Sequence, residues 1–404
     1  MKYLNKSFSI EGVRAKYLAK KFGTPIYCYS YKKLKENIIN FKKTFKSFSP
    51  LICFSVKSNT NVNLLREIKK LGFGADVVSM GELMKALKAG INNKKIVFSG
   101  VGKTTEELNY AINKNILLIN VESKSELIEV EKIAKYKKKI VNIGIRLNPN
   151  TDARTINQIS TGKKEDKFGL TEKNFIELVK YTKNSKYINL KCLSVHIGSQ
   201  IVNNLPYEKM LKVIDRVIKK SNHKFEFVDL GGGIGIPYNN KSKKLNYKKY
   251  SVSISKFLKK HNSKIIFEPG RSIVGNSGIL ISKIIYIKKN KNKNFVILDA
   301  GMNDLMRPAL YGAKHQIIPT KKNNSKSNKK IEFVGPICES TDSFLITKKF
   351  QTLKEGDSII ICDVGAYGMT LSSNYNLRPQ PAEILIKNSK IQVIRKKQKI
   401  VNLI

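Results

Sequence analysis

The sequence predicts an α/β protein: a (β/α)8 TIM-type barrel followed by a mostly β second domain. Three observations predict it. Eight short apolar, β-branched runs lie between residues 51 and 271, most of them followed by an amphipathic stretch. Alternating βα units imply a parallel sheet, and eight of them over about 220 residues fit a closed barrel. Beyond Arg271 the period changes to strand-like runs between polar loops. The length, 404 residues, suits two domains. An open doubly wound sheet is the structural alternative for the first part. The barrel is set at 28–271, and 1–27 plus 272–404 form the β-rich domain.

The eight runs, in order, are LICFSVK (51–57), GADVVS (74–79), KIVFSG (95–100), ILLINV (116–121), VNIGIRLN (141–148), LKCLSVHIG (190–198), FEFVDLGGG (225–233) and KIIFEPGR (264–271). NVNLLREIKKLG (61–72), SKSELIEVEKIAKYKK (123–138) and YEKMLKVIDRVIKK (207–220) lie between them. Their apolar positions recur at three and four residues, as in a helix with one buried face. The long excursion at 148–170 follows the fifth strand, a place where long loops are often functional. In the second part, SGILISKIIYI, NFVILDAG, KIEFVG, DSIIICDVG and KIQVIRKK read as strands. The residues ahead of the barrel are expected to pack on that β domain.

Composition narrows the function. Hydrophobic residues make up 41% and charged residues 26%, as in a globular protein. No apolar run approaches the roughly 18 residues of a membrane span. The N-terminal MKYLNKSFSIEGVRAK lacks the apolar core of a signal peptide, so a cytoplasmic protein without membrane contact is expected. The five cysteines are odd in number and widely spaced, which argues against a disulfide framework or a zinc site. With only four histidines, no metal is expected. The formal charge of +46 suggests a nucleic-acid partner at first sight. However, the lysines run along the whole chain, and KKNKNKN (288–294) and KKNNSKSNKK (321–330) read as solvated loops. No specific nucleic acid is expected.

Barrels of this kind place their active sites at the strands' C-terminal ends. Unusual residues gather there: Lys57, Asp76, Ser79, Arg146, His196, Ser199, the run Gly231, Gly232, Gly233, and Glu268 with Pro269, Gly270 and Arg271. Each has an ordinary structural reading as well, such as a solvated lysine, a tight glycine turn or a core histidine. The Gly run after the seventh strand is not a GxGxxG fingerprint, but it could bring backbone N–H groups close to a phosphate. In the second domain, Arg307 and Tyr311 share a face if DAGMNDLMRPALYG (299–312) is helical. VGPICESTDSF (334–344) puts Cys338, Glu339 and Asp342 in a turn, and CDVGAYGMTLSSNYN (362–376) carries Tyr367.

Taken together, the motifs resemble the diaminopimelate decarboxylases, members of the alanine racemase-like, barrel-type pyridoxal phosphate enzymes related to ornithine decarboxylase. The matching pieces run from FGTPIY (22–27) to RPQPAEIL (378–385). They include FSVKSN, GADVVSMGEL, STGKKEDKFGL, HIGSQI, DLGGGIGIPY, EPGRSIV, DAGMNDLMRPALYGAKH, GPICESTD and GAYGMTLSSNYN. Met80, and the form FSVKSN itself, depart slightly from the usual pattern without removing a functional group.

The resemblance implies pyridoxal 5'-phosphate as cofactor and decarboxylation of meso-2,6-diaminopimelate to L-lysine, the last step of lysine biosynthesis. Lys57 would form the Schiff base. Asp76, His196, Ser199, Gly231–Gly233, Glu268, Pro269, Gly270, Arg271 and Tyr367 would surround the cofactor. Arg271, Arg307, Tyr311, Glu339 and Tyr367 would bind the amino-acid substrate. Cys338 would be the catalytic thiol, delivered by the second subunit of a homodimer with shared active sites. The alternative is an ornithine/lysine-type or carboxynorspermidine-type decarboxylase. Simple basic substrates have no distal carboxylate for Arg307 and Tyr311, and their group favours Asp where this chain has Glu339.

Overall fold

The computed structural model describes residues 1–238 and 243–404. The chain divides into two compact units. One comprises Ile38–Ile236 and Lys243–Ser272, and the other Met1–Asn37, a short stretch from Pro237, and Ile273–Ile404. Residues 28–37, set with the barrel from the sequence, thus lie in the β unit. The reason is the strand Ile26–Ser30, which hydrogen-bonds to strands of that unit.

The first unit is a closed barrel of eight parallel strands. They are β1 (Leu51–Ser55), β2 (Gly74–Val77), β3 (Ile96–Phe98), β4 (Leu118–Val121), β5 (Val141–Arg146), β6 (Ile188–Ser194), β7 (Phe227–Asp229) and β8 (Lys264–Phe267). Closure is made by β8 on β1, with Ile266 opposite Leu51. Side chains alternate between the two faces of a strand, so every second residue shares a face. Cys53, Val97, Leu118, Cys192, Phe227 and Ile266 form one apolar cluster. Two residues further along the same strands come Ser55, Ser99, Asn120, Ser194, Asp229 and Glu268, all buried. An apolar floor therefore lies beneath a polar layer, and that layer sits at the end where chemistry is expected.

Helix starts after three strands repeat one device. Ser79–Glu82, Thr104–Glu107 and Ser123–Glu126 each have the S/T-x-x-E spacing of a capping box. The hydroxyls accept from the backbone N–H groups of Glu82, Glu107 and Glu126 at 3.3, 3.2 and 3.1 Å. The glutamates reach back to the N–H groups of Val78, Thr104 and Glu122 at 2.9, 3.0 and 2.8 Å. Each strand's exit is thereby fixed, and with it the direction of its last residues. Ser79 is occupied as this cap.

The second unit is mostly β. Among the described residues its main sheet has nine strands, with Gly278–Lys289 near the centre between Ile26–Ser30 and Lys293–Leu298. A smaller three-stranded sheet covers Lys2–Leu4, Ser7–Ile10 and Val13–Arg14. The core joins Ile26 and Cys28 to Ile279, Ile281, Ile360, Ile384 and Ile386. The stretch 288–294 is not a loop as expected. Lys288 and Lys289 pair with Phe295 and Asn294, and the turn is only three residues long. Residues 321–330 are mostly exposed loop.

Candidate active site

At the end of β1 the chain turns through a single 3-10 turn, Val56–Ser58, which carries Lys57. Its Nζ lies 3.5 Å from Asp76 Oδ2. Asp76 lies in the last two residues of β2, is fully buried, and also accepts from Ser55 Oγ at 2.7 Å. The other carboxylate oxygen, Oδ1, is buried with no hydrogen-bond partner among the described residues. The side chain of Lys57 remains about a third exposed. The barrel thus holds its amine beside a carboxylate yet open to an incoming molecule.

The next strands round the barrel from β1, β8 and β7, contribute two further carboxyls, Glu268 and Asp229, both buried. Burial, then the neighbouring Asp229 and Asp76 charges, push Glu268 well above the usual carboxylate range, with Lys57 opposing. Burial likewise pushes Asp229 up to about 6. The two side chains share a hydrogen bond, so Glu268 carries the proton that Asp229 accepts. Asp229 also accepts from Gly231 N at 2.9 Å and from Asn120 Nδ2 at 3.3 Å, and Ser99 Oγ donates to Glu268 at 3.4 Å. Neither Asp229 nor Asn120 was singled out in the sequence. The DLGGG motif drew attention to its glycines, yet the two-residue alternation that places Glu268 inside places Asp229 there too.

The glycine run is required by crowding. A Cβ on Gly232 would lie 2.0 Å from Glu268 O, one on Gly233 2.2 Å from Gly198 O, and one on Gly231 2.6 Å from His196 Nδ1. Gly231 and Gly233 also have φ of +63° and +83°. Glu268 N donates to Gly231 O at 2.8 Å and Pro269 O accepts from Ser55 N at 3.2 Å. The Gly231–Gly233 and Glu268–Gly270 backbones therefore lie side by side. Gly270 packs against Ser58. Arg271 Nη2 donates to Ser199 Oγ at 3.0 Å.

His196 accepts from Gly232 N through Nδ1 at 3.1 Å. Burial, then the Lys57 and Arg146 charges, hold its pKa well below the usual imidazole value, so the ring is neutral. Arg146 pairs with buried Glu122 at 2.8 Å and donates to His196 O at 3.3 Å. Glu122 also accepts from Gly100 N and Gly169 N, each at 3.0 Å. Arg146 and Glu122 therefore hold both the backbone of His196 and the end of the 148–170 loop, and Arg146 is a scaffold residue.

The remaining candidates lie in the β unit. Of the stretch 299–312 only Arg307–Tyr311 is helical, and it carries both residues. Arg307 is buried, its guanidinium 2.7 Å from His315 Nε2 and 4.7 Å from the centre of the Tyr238 ring. Tyr311 is half-buried and Tyr367 sits at φ +57°. Cys338 and Glu339 are exposed. Asn376 Nδ2 donates to Cys338 Sγ at 3.4 Å, and the Tyr375 hydroxyl donates to Glu339 at 2.8 Å. Asp342 is buried and structural. It accepts from Met302 N and Ile337 N at 2.7 and 2.8 Å, fixing the turn that presents Cys338. The sequence had not marked His315, Tyr375 or Asn376, although all three fall inside quoted motifs.

Among the described residues, no group of three or more His, Cys, Asp or Glu side chains could hold a metal ion, and no helix is long and apolar enough to cross a membrane. An organic cofactor is another matter. A reactive amine, a buried carboxyl able to keep or release a proton, an unpartnered buried carboxylate oxygen and a side-chain-free double backbone fit a phosphorylated aromatic aldehyde.

Comparison with known proteins points the same way. The profile of the family described as "Pyridoxal-dependent decarboxylase, pyridoxal binding domain" matches residues 31–275. The chain is 43% identical over 380 residues to a diaminopimelate decarboxylase of Helicobacter pylori, covering 93% of this chain and 94% of that protein. It is 39% identical over 404 residues to the Aquifex aeolicus diaminopimelate decarboxylase, covering 98% and 95%. The crystal structure of the Helicobacter pylori enzyme complexed with L-lysine superposes with a TM-score of 0.92 at 41% identity, covering 96% of this chain and 98% of that one.

Proposed function

This chain belongs to the pyridoxal-dependent decarboxylases and, within them, to the diaminopimelate decarboxylases; from that premise we propose how its residues divide the work of converting meso-2,6-diaminopimelate to L-lysine. The observation that carries the reading is the set Lys57, Asp76 and Glu268 in one barrel mouth, an amine beside one carboxylate and a proton-holding carboxyl at the end of the adjoining strand. Pyridoxal phosphate, when bound, supplies the sink for the electron pair that departing CO2 leaves behind.

Lys57 Nζ would be the attachment point for the cofactor, and Asp76 holds the amine at the mouth of the barrel by its ion pair. Glu268 serves the ring nitrogen. Its raised proton affinity lets it share a proton there rather than stand as a solvated carboxylate. Gly231, Gly232 and Gly233, with the backbone of Glu268, Pro269, Gly270 and Arg271 and the hydroxyl of Ser199, hold the phosphate. Neutral His196 would help to hold the cofactor's ring. Tyr367, held in a left-handed conformation that a tyrosine rarely adopts, contacts cofactor and substrate.

The substrate's far end is an ammonium and a carboxylate. Arg271, Arg307 and Tyr311 bind the carboxylate, where a planar fork does what lysine cannot. Glu339 binds the ammonium. The bond to the reacting carboxylate breaks, CO2 leaves, and its electron pair stays on carbon. That carbon takes the proton of Cys338 Sγ, and solvent restores the thiol. Cys338 and Glu339 are exposed in the single chain, which suits delivery to the site of a second copy, so the working form is a homodimer with shared sites. An exposed thiol that must stay reduced suits the cytoplasm.

The test is CO2 release from meso-diaminopimelate beside L-ornithine and L-lysine. Preference for meso-diaminopimelate is expected. Equal turnover of L-ornithine would favour the ornithine/lysine-type alternative and leave Arg307 and Tyr311 without a ligand.

A further inference from the structure

Arg307 is held by an unusual partner. Its Nη1 lies 2.7 Å from Nε2 of His315, and both side chains are buried. A guanidinium has donors only. Nε2 must therefore offer a lone pair, and the proton of the neutral ring must sit on Nδ1. That atom is 2.8 Å from the carbonyl oxygen of Cys362, which can only accept. The two contacts agree on one tautomer, and the ring has no position left for a second proton without facing the guanidinium. Tyr238 closes the arrangement: its ring stands edge-on to His315 at 5.1 Å and lies under the guanidinium at 4.7 Å.

We propose that His315, as the neutral Nδ1–H tautomer, is the positioning residue that fixes the Arg307 guanidinium for the substrate's distal carboxylate. The inference rests on the assignment of Arg307 to that carboxylate. The Cys362 carbonyl sets the ring, the ring accepts one N–H of the fork, and the aromatic face of Tyr238 sets its plane. The remaining donors are then aimed without the rotamer entropy that a long side chain otherwise loses on binding. A carboxylate at His315 would neutralise the guanidinium, whereas a neutral acceptor orients it and leaves its full charge for the ligand.

The test uses product analogues on the holoenzyme. L-lysine keeps the distal carboxylate, and 1,5-diaminopentane lacks it. Losing a hydrogen bond to a charged group corresponds to about ten- to a hundredfold in affinity. H315A should raise KM for meso-diaminopimelate and the inhibition constant of L-lysine by about that factor, with a much smaller change in kcat. Inhibition by 1,5-diaminopentane should be unchanged. H315Q, whose amide oxygen can accept from Arg307, should recover most of the loss. Equal weakening of both inhibitors, or of neither, would overturn the proposal.

R307A run alongside separates two failures. If R307A also spares the ratio of the two inhibition constants, the assignment of Arg307 falls and the proposal with it. If R307A collapses the ratio and H315A does not, only the role of His315 falls. Should H315A not fold, nitrogen-15 spectra of the unaltered protein decide. With four histidines in the chain, His315 should show a protonated Nδ1 and an accepting Nε2 at neutral pH, and the opposite tautomer or an imidazolium would sink the idea.

Discussion

Lys57 is one of sixty-seven lysines, and nothing in its side chain sets it apart; its setting does. Asp76 lies within reach and the ammonium is still accessible. Lys57→Ala should abolish turnover while phosphate contacts retain some cofactor. Borohydride reduction of the unaltered holoenzyme should label this lysine alone, and a label elsewhere would refute its role. Asp229 gives a second prediction at this scale. Its carboxyl is pushed up to about 6 from an ordinary value of 3.8, so the folded chain binds the proton more tightly than the unfolded one. That contribution to stability is fully present below the unfolded value and is lost as pH rises through the folded one. In the cofactor-free protein Asp229→Asn should remove this dependence, so that urea melts of the two proteins differ by an amount that changes between pH 4 and 6. A constant difference would count against the buried proton. Lys57, Glu268 and the glycines could be read in the sequence because they stand in motifs at strand ends. His315 could not, because its meaning depends on a carbonyl 47 residues away in the chain.

At the scale of elements, alternation carried most of the information. All eight barrel strands were visible, since each is a short apolar run and most are followed by an amphipathic helix. In the second unit Ile317–Pro319, Ser343–Thr347 and Ala382–Lys387 were missed. The first is three residues with a proline, and AEILIK is buried along nearly its whole length, so neither shows the period of a half-buried strand. Ile26–Ser30, buried at all five positions, escaped for the same reason. The 148–170 loop was recognised by length, but its anchor was not. Glu122 receives Arg146, Gly100 and Gly169 together. Glu122→Ala leaves Arg146 uncompensated, and breaking a buried pair typically costs about 3–5 kcal/mol. Faster amide exchange is expected across 148–170, beyond any change in the helices Met80–Lys88 and Thr105–Asn113. Uniform acceleration would mean that Glu122 supports the barrel generally and not the loop.

For the whole molecule, the exposed Cys338 decides what must be assembled. If it serves a second copy's site, a Lys57→Ala chain mixed with a Cys338→Ala chain should regain up to about a quarter of normal activity under random pairing, since half the dimers are mixed and each has one intact site. Silence from mixed dimers shown to form would mean that each chain completes its own site. The net charge of +46 should make any binding to polyanions fall steeply with salt, without sequence preference.

The pairing of Ile26–Ser30 carries a consequence for how the protein is made. This strand is hydrogen-bonded on one edge to residues 278–281 and on the other, in parallel, to residues 382–386. During synthesis at about 5–20 residues per second, its second neighbour emerges only about 20–70 seconds after the strand itself. Through that interval an edge of unpaired backbone N–H and C=O groups waits on the nascent chain, while β1 waits in the same way for β8 to close the barrel. Neither unit can reach its final pairing until most of the polypeptide has left the ribosome, so this chain depends on whatever shields unfinished strands from one another during translation.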